Sequence, residues 1–148
     1  MSKNKLKEIW NNNNYALNGW ISINNPFSAE IMSRQNYDTL TIDMQHGLID
    51  YSDLLGILQA ITGSGVMPIV RVPWLDPGYI MKALDTGAEG IICPMINNKK
   101  EAEQFVSFMK YPPLGNRSFG PTRQNIITGN NYYSNANDNV LCIAMIET

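Results

Sequence analysis

The sequence has few of the residues that mark several large classes of protein. It contains one histidine and two cysteines in 148 residues, and 11 Lys and Arg residues stand against 13 Asp and Glu. A formal net charge of −2 gives no sign of the clustered basic face that nucleic-acid-binding domains show. No stretch approaches the ~20 apolar residues of a membrane span, and Asn11 to Asn14 stand where a signal peptide would have its apolar core. We therefore expect a soluble, cytoplasmic protein that binds neither nucleic acid nor membrane.

The two cysteines give little indication of a catalytic or metal-binding role. Cys93 and Cys142 each lie inside an apolar run, a position typical of small buried core residues. We expect them to be core residues of a protein from a reducing compartment.

Segments with strand character and segments with helix character alternate along the chain. The predicted strands cover residues 17–23, 38–43, 66–72 and 89–95, and a fifth begins at Val140. The predicted helices begin at residues suited to a helix cap or first turn, namely Asn25-Pro26, Asp50 or Ser52, Asp76-Pro77 and Asn98. This alternation indicates an α/β protein with a parallel sheet.

A barrel and an open doubly wound sheet both fit the alternation, and the repeat length favours the barrel. The units average roughly 32 residues, so that eight of them need about 250, the usual size of a (β/α)₈ TIM barrel. A fifth strand without a further partner would be an apolar, aggregation-prone edge. We therefore expect residues 1–148 to be the first five strands of one longer barrel domain, or to pair with something that completes it.

The regular alternation breaks between residues 111 and 137. This stretch is rich in Pro, Gly, Ser, Asn and Tyr, and irregular segments of that length in compact domains usually serve a site. We interpret it as an active-site loop. Arg117 and Arg123 within it are candidates for a substrate carboxylate or phosphate, for a subunit contact, or for simple solvation.

The second predicted strand leads to the best functional candidate, His46. Barrel enzymes keep their catalytic groups at the carboxyl ends of the strands, and an imidazole titrates near neutrality, as a general base should. A single histidine is more often structural, so the case for a catalytic His46 depends on the residues predicted to lie near it. Arg71 ends the next strand, where it would pair with a carboxylate or anchor an anion. Asp43 or Asp85 could orient the imidazole and raise its basicity.

The last predicted strand also carries a charged group at its tip. Glu147 follows an apolar run, and a carboxylate in such a place is costly unless it binds a cation or a hydrogen-bond donor. Glu147 is therefore a candidate ligand for a hard divalent cation, although Mg²⁺ would need at least one further ligand.

Five motifs together resemble the HpcH/HpaI family of metal-dependent pyruvate aldolases, including 4-hydroxy-2-oxoheptanedioate and 2-dehydro-3-deoxyglucarate aldolases. The first is Ile-Asp-Met-Gln-His-Gly at 42–47, and the others lie at residues 68–73, 83–95, 111–118 and 145–148. They occur in order and at compatible spacing over nearly the whole chain.

The resemblance implies a (β/α)₈ barrel, usually hexameric, that cleaves a 4-hydroxy-2-oxo acid to pyruvate or a close analogue and an aldehyde. His46 would be the base, Arg71 the group that stabilises the enolate, and Asp85 the residue that makes His46 more basic. Glu147 would be one of two acidic ligands to Mg²⁺, Mn²⁺ or Co²⁺. The expected partners are therefore a small 2-oxo acid, an aldehyde and further copies of the chain.

The chain departs from the family pattern in three places. Gln45 stands where Glu is common, and Met145 stands where many members have a substrate-contacting Gln. The second metal ligand would lie beyond residue 148, so we expect this polypeptide alone to bind metal weakly and to be inactive. The alternatives are a malyl- or citramalyl-thioester lyase of the same superfamily and a non-catalytic assembly subunit.

Overall fold

The computed structural model describes residues 4–129 and 131–148, and within them it contains seven helices and five strands. In chain order these are α1 (Lys5–Asn11), β1 (Asn18–Ile21), α2 (Pro26–Ser33), β2 (Thr39–Asp43), α3 (Tyr51–Ile61), β3 (Met67–Arg71), α4 (Pro77–Thr86), β4 (Gly90–Cys93), α5 (Lys99–Met109), α6 (Thr122–Thr128), α7 (Tyr132–Asn139) and β5 (Leu141–Ala144). None of the helices described is long and apolar enough to span a bilayer.

The five strands form one parallel sheet in the order β1-β2-β3-β4-β5. Each strand therefore lies beside the strand that follows it in sequence, as in a (β/α)₈ barrel. This arrangement confirms the predicted α/β fold class. Whether residues 1–148 are the first part of a longer barrel domain stays a prediction.

Local capping signals set where most helices begin. The side chains of Asn25, Asp50, Asp76 and Asn98 each accept a hydrogen bond from a backbone N–H in the first turn of α2, α3, α4 and α5, as the sequence predicts. Gly87 ends α4 with a φ of +129°, a backbone conformation that favours glycine.

Alternate residues of each strand face two different apolar layers. Leu40, Ile42, Val70 and Ile91 are completely buried in the core cluster that contains the inner faces of the helices, and Cys93 and the half-buried Cys142 pack there too. The positions between them, including Met67, Ile69 and Ile92, form a second cluster. The two cysteines are core residues, as expected.

Helix α1 was not predicted from the sequence. The Asn4 side chain caps it, and Leu6 and Ile9 pack into the second cluster with Met67 and Leu141. Because these strand residues begin β3 and β5, α1 covers the amino ends of the strands. The carboxyl ends of the sheet are left for the candidate site.

The segment 111–137 is not one irregular loop, and whether it serves an active site stays a prediction. Helices α6 and part of α7 lie within it, and the segment connects the end of α5 to the start of β5. It contacts the amino ends of the strands, since Arg123 donates to the backbone carbonyl of Thr86 and Gln124 to that of Ala88. The segment therefore lies at the opposite end of the sheet from His46.

Candidate active site

The centre of the candidate site is an ion pair between two neighbouring strands. Asp43 ends β2 and Arg71 ends β3, and the parallel register places them opposite each other. Arg71 Nε lies 2.9 Å from Asp43 Oδ1, and Nη2 lies 2.6 Å from Oδ2. The two side chains are only 12% and 4% exposed. Paired, planar contacts of this kind fix the orientation of a guanidinium as well as its position.

Asp43 is held in its charged form. Burial alone would raise its pKa, but hydrogen bonds from Arg71, from the backbone N–H of His46, from the Trp20 indole and from the backbone N–H of Gln45 together bring the pKa well below the ordinary range of a carboxyl. Asp43 therefore stays ionised beside Arg71 at any pH near neutrality.

Trp20 of β1 contacts both members of the pair. Its Nε1 lies 3.3 Å from Asp43 Oδ2, and its ring centroid lies 4.9 Å from Cζ of Arg71. Its contact with the candidate site was not predicted, because strand spacing does not reveal which way an indole leans.

His46 lies in the turn after β2, where its side chain is exposed. Its backbone N–H, like that of Gln45, donates to Asp43 Oδ1, at 3.2 Å and 3.0 Å respectively. A Cβ at Gly47 would collide with the carbonyl oxygen of Asp43 and lie 3.1 Å from Cα of Ser22. Asp43 and Gly47 thus fix the backbone that carries His46.

Asp43 does not orient His46 in the predicted way. Its carboxylate binds the backbone N–H of His46, and within the described residues no hydrogen bond joins it to the imidazole. Asp43 fixes the turn and the guanidinium instead.

Met145 lies on the other side of Arg71. Its Sδ is 4.0 Å from Nη1, the guanidinium nitrogen that Asp43 leaves free, and a thioether is a weak acceptor. Nη1 therefore keeps most of its capacity to donate to a ligand, on the side of the guanidinium that faces β5. Whether Arg71 and Met145 contact a substrate stays a prediction.

Glu147 follows β5 at the same end of the sheet. Its Oε1 accepts a hydrogen bond of 3.1 Å from the backbone N–H of Met95, a residue with a φ of +57° in the loop after β4. A non-glycine residue with such a φ is uncommon and is often found at functional sites.

The residues around Glu147 fit a divalent cation only in part. Its second carboxylate oxygen makes no hydrogen bond to the described residues, and hard cations prefer oxygen ligands of this type. However, no group of three His, Cys, Asp or Glu side chains occurs together in residues 4–129 and 131–148.

The predicted contact between Asp85 and His46 is not present within one chain. Helix α4 follows β3 and runs back, so that Asp85 lies near the amino ends of the strands while His46 lies at the carboxyl ends. Asp85 Oδ1 instead lies 2.6 Å from Nη2 of the fully buried Arg117. Arg117 also donates to the hydroxyl of Tyr132 at 3.0 Å and lies over the ring of Tyr111. This pair ties residues 111–120 to α4.

A cavity of about 490 Å³ also lies at the amino ends of the strands, between α1, α3, α6 and α7. Its lining is mostly apolar, and the cations that border it, Lys5 and Arg123, already donate to backbone carbonyls. We place the candidate site at the carboxyl ends, because Arg71, Asp43, His46 and Glu147 all belong to that end.

Known proteins are similar to this chain over most of its length. Residues 17–148 match the sequence profile of the family described as HpcH/HpaI aldolase/citrate lyase. The chain is 43% identical over 145 residues to a hydroxypyruvate/pyruvate aldolase of Rhizorhabdus wittichii, covering 98% of this chain and 58% of the relative. It is 39% identical over 134 residues to a 2-dehydro-3,6-dideoxy-6-sulfogluconate aldolase of Pseudomonas putida, covering 89% and 52%.

A solved structure is also similar to this chain over most of its length. The crystal structure of an HpcH/HpaI aldolase/citrate lyase family protein from Burkholderia cenocepacia superposes with a TM-score of 0.87 at 28% identity, covering 96% of this chain and 59% of that one. The chain thus spans between half and two thirds of the length of these three proteins.

Proposed function

Because this chain belongs to the HpcH/HpaI aldolase/citrate lyase family, we propose that the protein is a divalent-metal-dependent aldolase. It would cleave a 4-hydroxy-2-oxo acid into pyruvate, or a related 2-oxo acid, and an aldehyde. The observation that carries the proposal is the Asp43–Arg71 pair at the carboxyl ends of β2 and β3, with one guanidinium nitrogen left to donate.

Arg71 would act on the charge that develops during cleavage. Breaking the bond between C3 and C4 leaves an electron pair that delocalises onto the keto oxygen of the 2-oxo acid. A donor already oriented towards that oxygen stabilises it without reorganisation. Asp43 supplies the orientation by holding Nε and Nη2, and Nη1 remains for the substrate.

His46 would take the proton from the 4-hydroxyl group, directly or through water, while the electron pair of the O–H bond forms the aldehyde carbonyl. Its exposed position after β2 leaves the imidazole accessible to a ligand above Arg71. A divalent cation such as Mg²⁺, Mn²⁺ or Co²⁺, held in part by Glu147, would supply Lewis-acid chemistry at the carboxylate and keto oxygens of the substrate.

Met145 would border the pyruvate side of the substrate through its contact with Arg71. A thioether gives an apolar surface where an amide would give a hydrogen bond, so Met145 bears on which 2-oxo acid is accepted.

We also propose that the protein is a homo-oligomer. Asp85 and His46 lie at opposite ends of one chain, so any effect of Asp85 on the basicity of His46 would require a neighbouring copy.

The proposal is tested by incubating the full-length protein with 4-hydroxy-2-oxo acids and measuring pyruvate with lactate dehydrogenase. Activity should disappear after thorough chelation and return with Mg²⁺, Mn²⁺ or Co²⁺. Retention of full activity after chelation would exclude the metal-dependent mechanism. Activity that requires coenzyme A thioesters and ignores free acids would instead favour a thioester lyase, an alternative that the citrate lyase part of the family description supports.

A further inference from the structure

We propose that Trp20 is a positioning residue that orients the guanidinium of Arg71 through the Asp43–Arg71 pair, an inference that rests on the proposed role of Arg71. Three adjacent strands contribute one side chain each, Trp20 from β1, Asp43 from β2 and Arg71 from β3. The three side chains contact one another pairwise.

The contacts of Trp20 complement those that Asp43 makes. Asp43 binds two nitrogens of Arg71 in the plane of the guanidinium. These two hydrogen bonds alone still allow the guanidinium to tilt about the line that joins them. The indole ring, 4.9 Å from Cζ of Arg71, opposes that rotation through a cation–π contact. The indole N–H, 3.3 Å from Oδ2, holds the carboxylate as well. Together the contacts fix the direction in which Nη1 faces.

The exposure of Trp20 argues against a role in packing alone. Its side chain is 42% exposed, whereas Phe105 and Tyr111 of the packed clusters are 1% exposed. Trp20 is a large aromatic residue that remains partly exposed to solvent. Its indole N–H and its ring both contact the same ion pair, so we infer that these two contacts explain its position.

Two substitutions separate the contributions of Trp20. Trp20→Phe keeps an aromatic ring and loses the N–H donor, and Trp20→Leu loses both. We expect Trp20→Leu to lower kcat for aldol cleavage about 10- to 100-fold, the scale on which small misplacements of a catalytic group act. The KM should stay within about twofold of the parent value, and Trp20→Phe should give an intermediate loss of kcat. The matched control is Trp10→Leu, since Trp10 of α1 is 50% exposed and lies at the other end of the sheet.

A double-mutant cycle with Arg71→Lys tests whether Trp20 acts through Arg71. If it does, Trp20→Leu should change kcat by no more than about twofold when Arg71 is already Lys. Equal losses in both backgrounds would contradict the proposal, because Trp20 would then act independently. A change in KM alone would indicate direct contact with substrate, and a lower melting temperature with unchanged kcat would indicate packing alone.

A measurement without catalysis keeps this inference separate from the proposed function. The Nε–H resonance of Arg71 in ¹H–¹⁵N spectra, assigned by its loss in Arg71→Lys, should exchange slowly with solvent in the parent protein and rapidly in Trp20→Leu. If this change occurs in a protein without aldolase activity, the positioning role stands and the proposed function fails. If the resonance is the same in both proteins, Trp20 does not hold the pair.

Discussion

Arg71 donates two hydrogen bonds to Asp43 across neighbouring parallel strands, from Nε to Oδ1 at 2.9 Å and from Nη2 to Oδ2 at 2.6 Å. The register of β2 and β3 makes the two residues direct neighbours at the last position of each strand. The carboxylate of Asp43 thereby compensates the charge of Arg71, which ends a largely apolar strand. The remaining guanidinium nitrogen, Nη1, faces β5.

Asp43→Asn should destabilise the protein at pH 7 by about 2 to 4 kcal/mol, since removing one partner of a buried pair leaves the other charge uncompensated. The estimate lies below the value for a fully buried pair, because the side chain of Arg71 is 12% exposed. Urea unfolding of the parent protein and of Asp43→Asn measures this difference in the free energy of unfolding.

The pH dependence gives a second test of the same substitution. The pKa of Asp43 is lowered in the folded state from its ordinary value of 3.8, so the pair stabilises the protein fully above about pH 4. This stabilisation is lost as the pH falls below that value. The stability difference between parent and Asp43→Asn should therefore be constant from pH 7 to pH 5 and shrink below pH 4. A constant difference down to pH 2 would contradict the assignment.

Arg71→Lys should lower kcat/KM for aldol cleavage about 10²- to 10³-fold, the usual effect of removing one donor to a developing oxyanion. Lysine keeps the charge but cannot bind Asp43 through two fixed donors and offer a third. The circular dichroism spectrum should be unchanged. Activity within twofold of the parent would mean that Arg71 does not contact the reacting group.

Gly47→Ala should displace the turn that carries His46 and lower kcat at least about 10-fold, as misplacement of a catalytic base does. The added methyl group would collide with the carbonyl oxygen of Asp43, and backbone cannot move aside as a flexible side chain can. Gly120→Ala is the control, because a Cβ there meets no atom within 4 Å. Equal activity in both variants would show that the turn tolerates the shift.

Asp85→Asn should reduce stability by about 2 to 4 kcal/mol, since it leaves the fully buried guanidinium of Arg117 without a carboxylate whose side chain is 19% exposed. The exposed pair Lys99–Glu103 provides the control, and Glu103→Gln should change stability by less than about 1 kcal/mol. Thermal unfolding of the two variants distinguishes them. Similar melting temperatures would mean that the Asp85–Arg117 pair does not hold residues 111–120 on α4.

The parts of the fold that local signals specify were predictable from the sequence. Asn25 and Asp76 each precede a proline at the first helical position, and both cap a helix in the structure. Helices α6 and α7 were missed because neither has a side-chain cap. They depend instead on contacts that are distant in sequence, such as Arg123 with Thr86.

The parts of the candidate site that lie at the ends of strands were predictable from the sequence. Asp43 and Arg71 end adjacent strands, so their proximity follows from a parallel sheet. The distance between Asp85 and His46 within one chain was not predictable, because helix spacing alone does not reveal which end of the sheet a helix residue reaches. The contacts of Trp20 with Asp43 and Arg71 were missed because they depend on the direction of a side chain.

The most direct test of the account is the rate of pyruvate release from a 4-hydroxy-2-oxo acid by the full-length protein and by His46→Ala, both saturated with Mn²⁺. The account predicts that His46→Ala folds with an unchanged melting temperature, because the imidazole is exposed, and loses at least about 10²-fold in kcat, as expected for a general base. Pyruvate release at the parent rate by His46→Ala would contradict it.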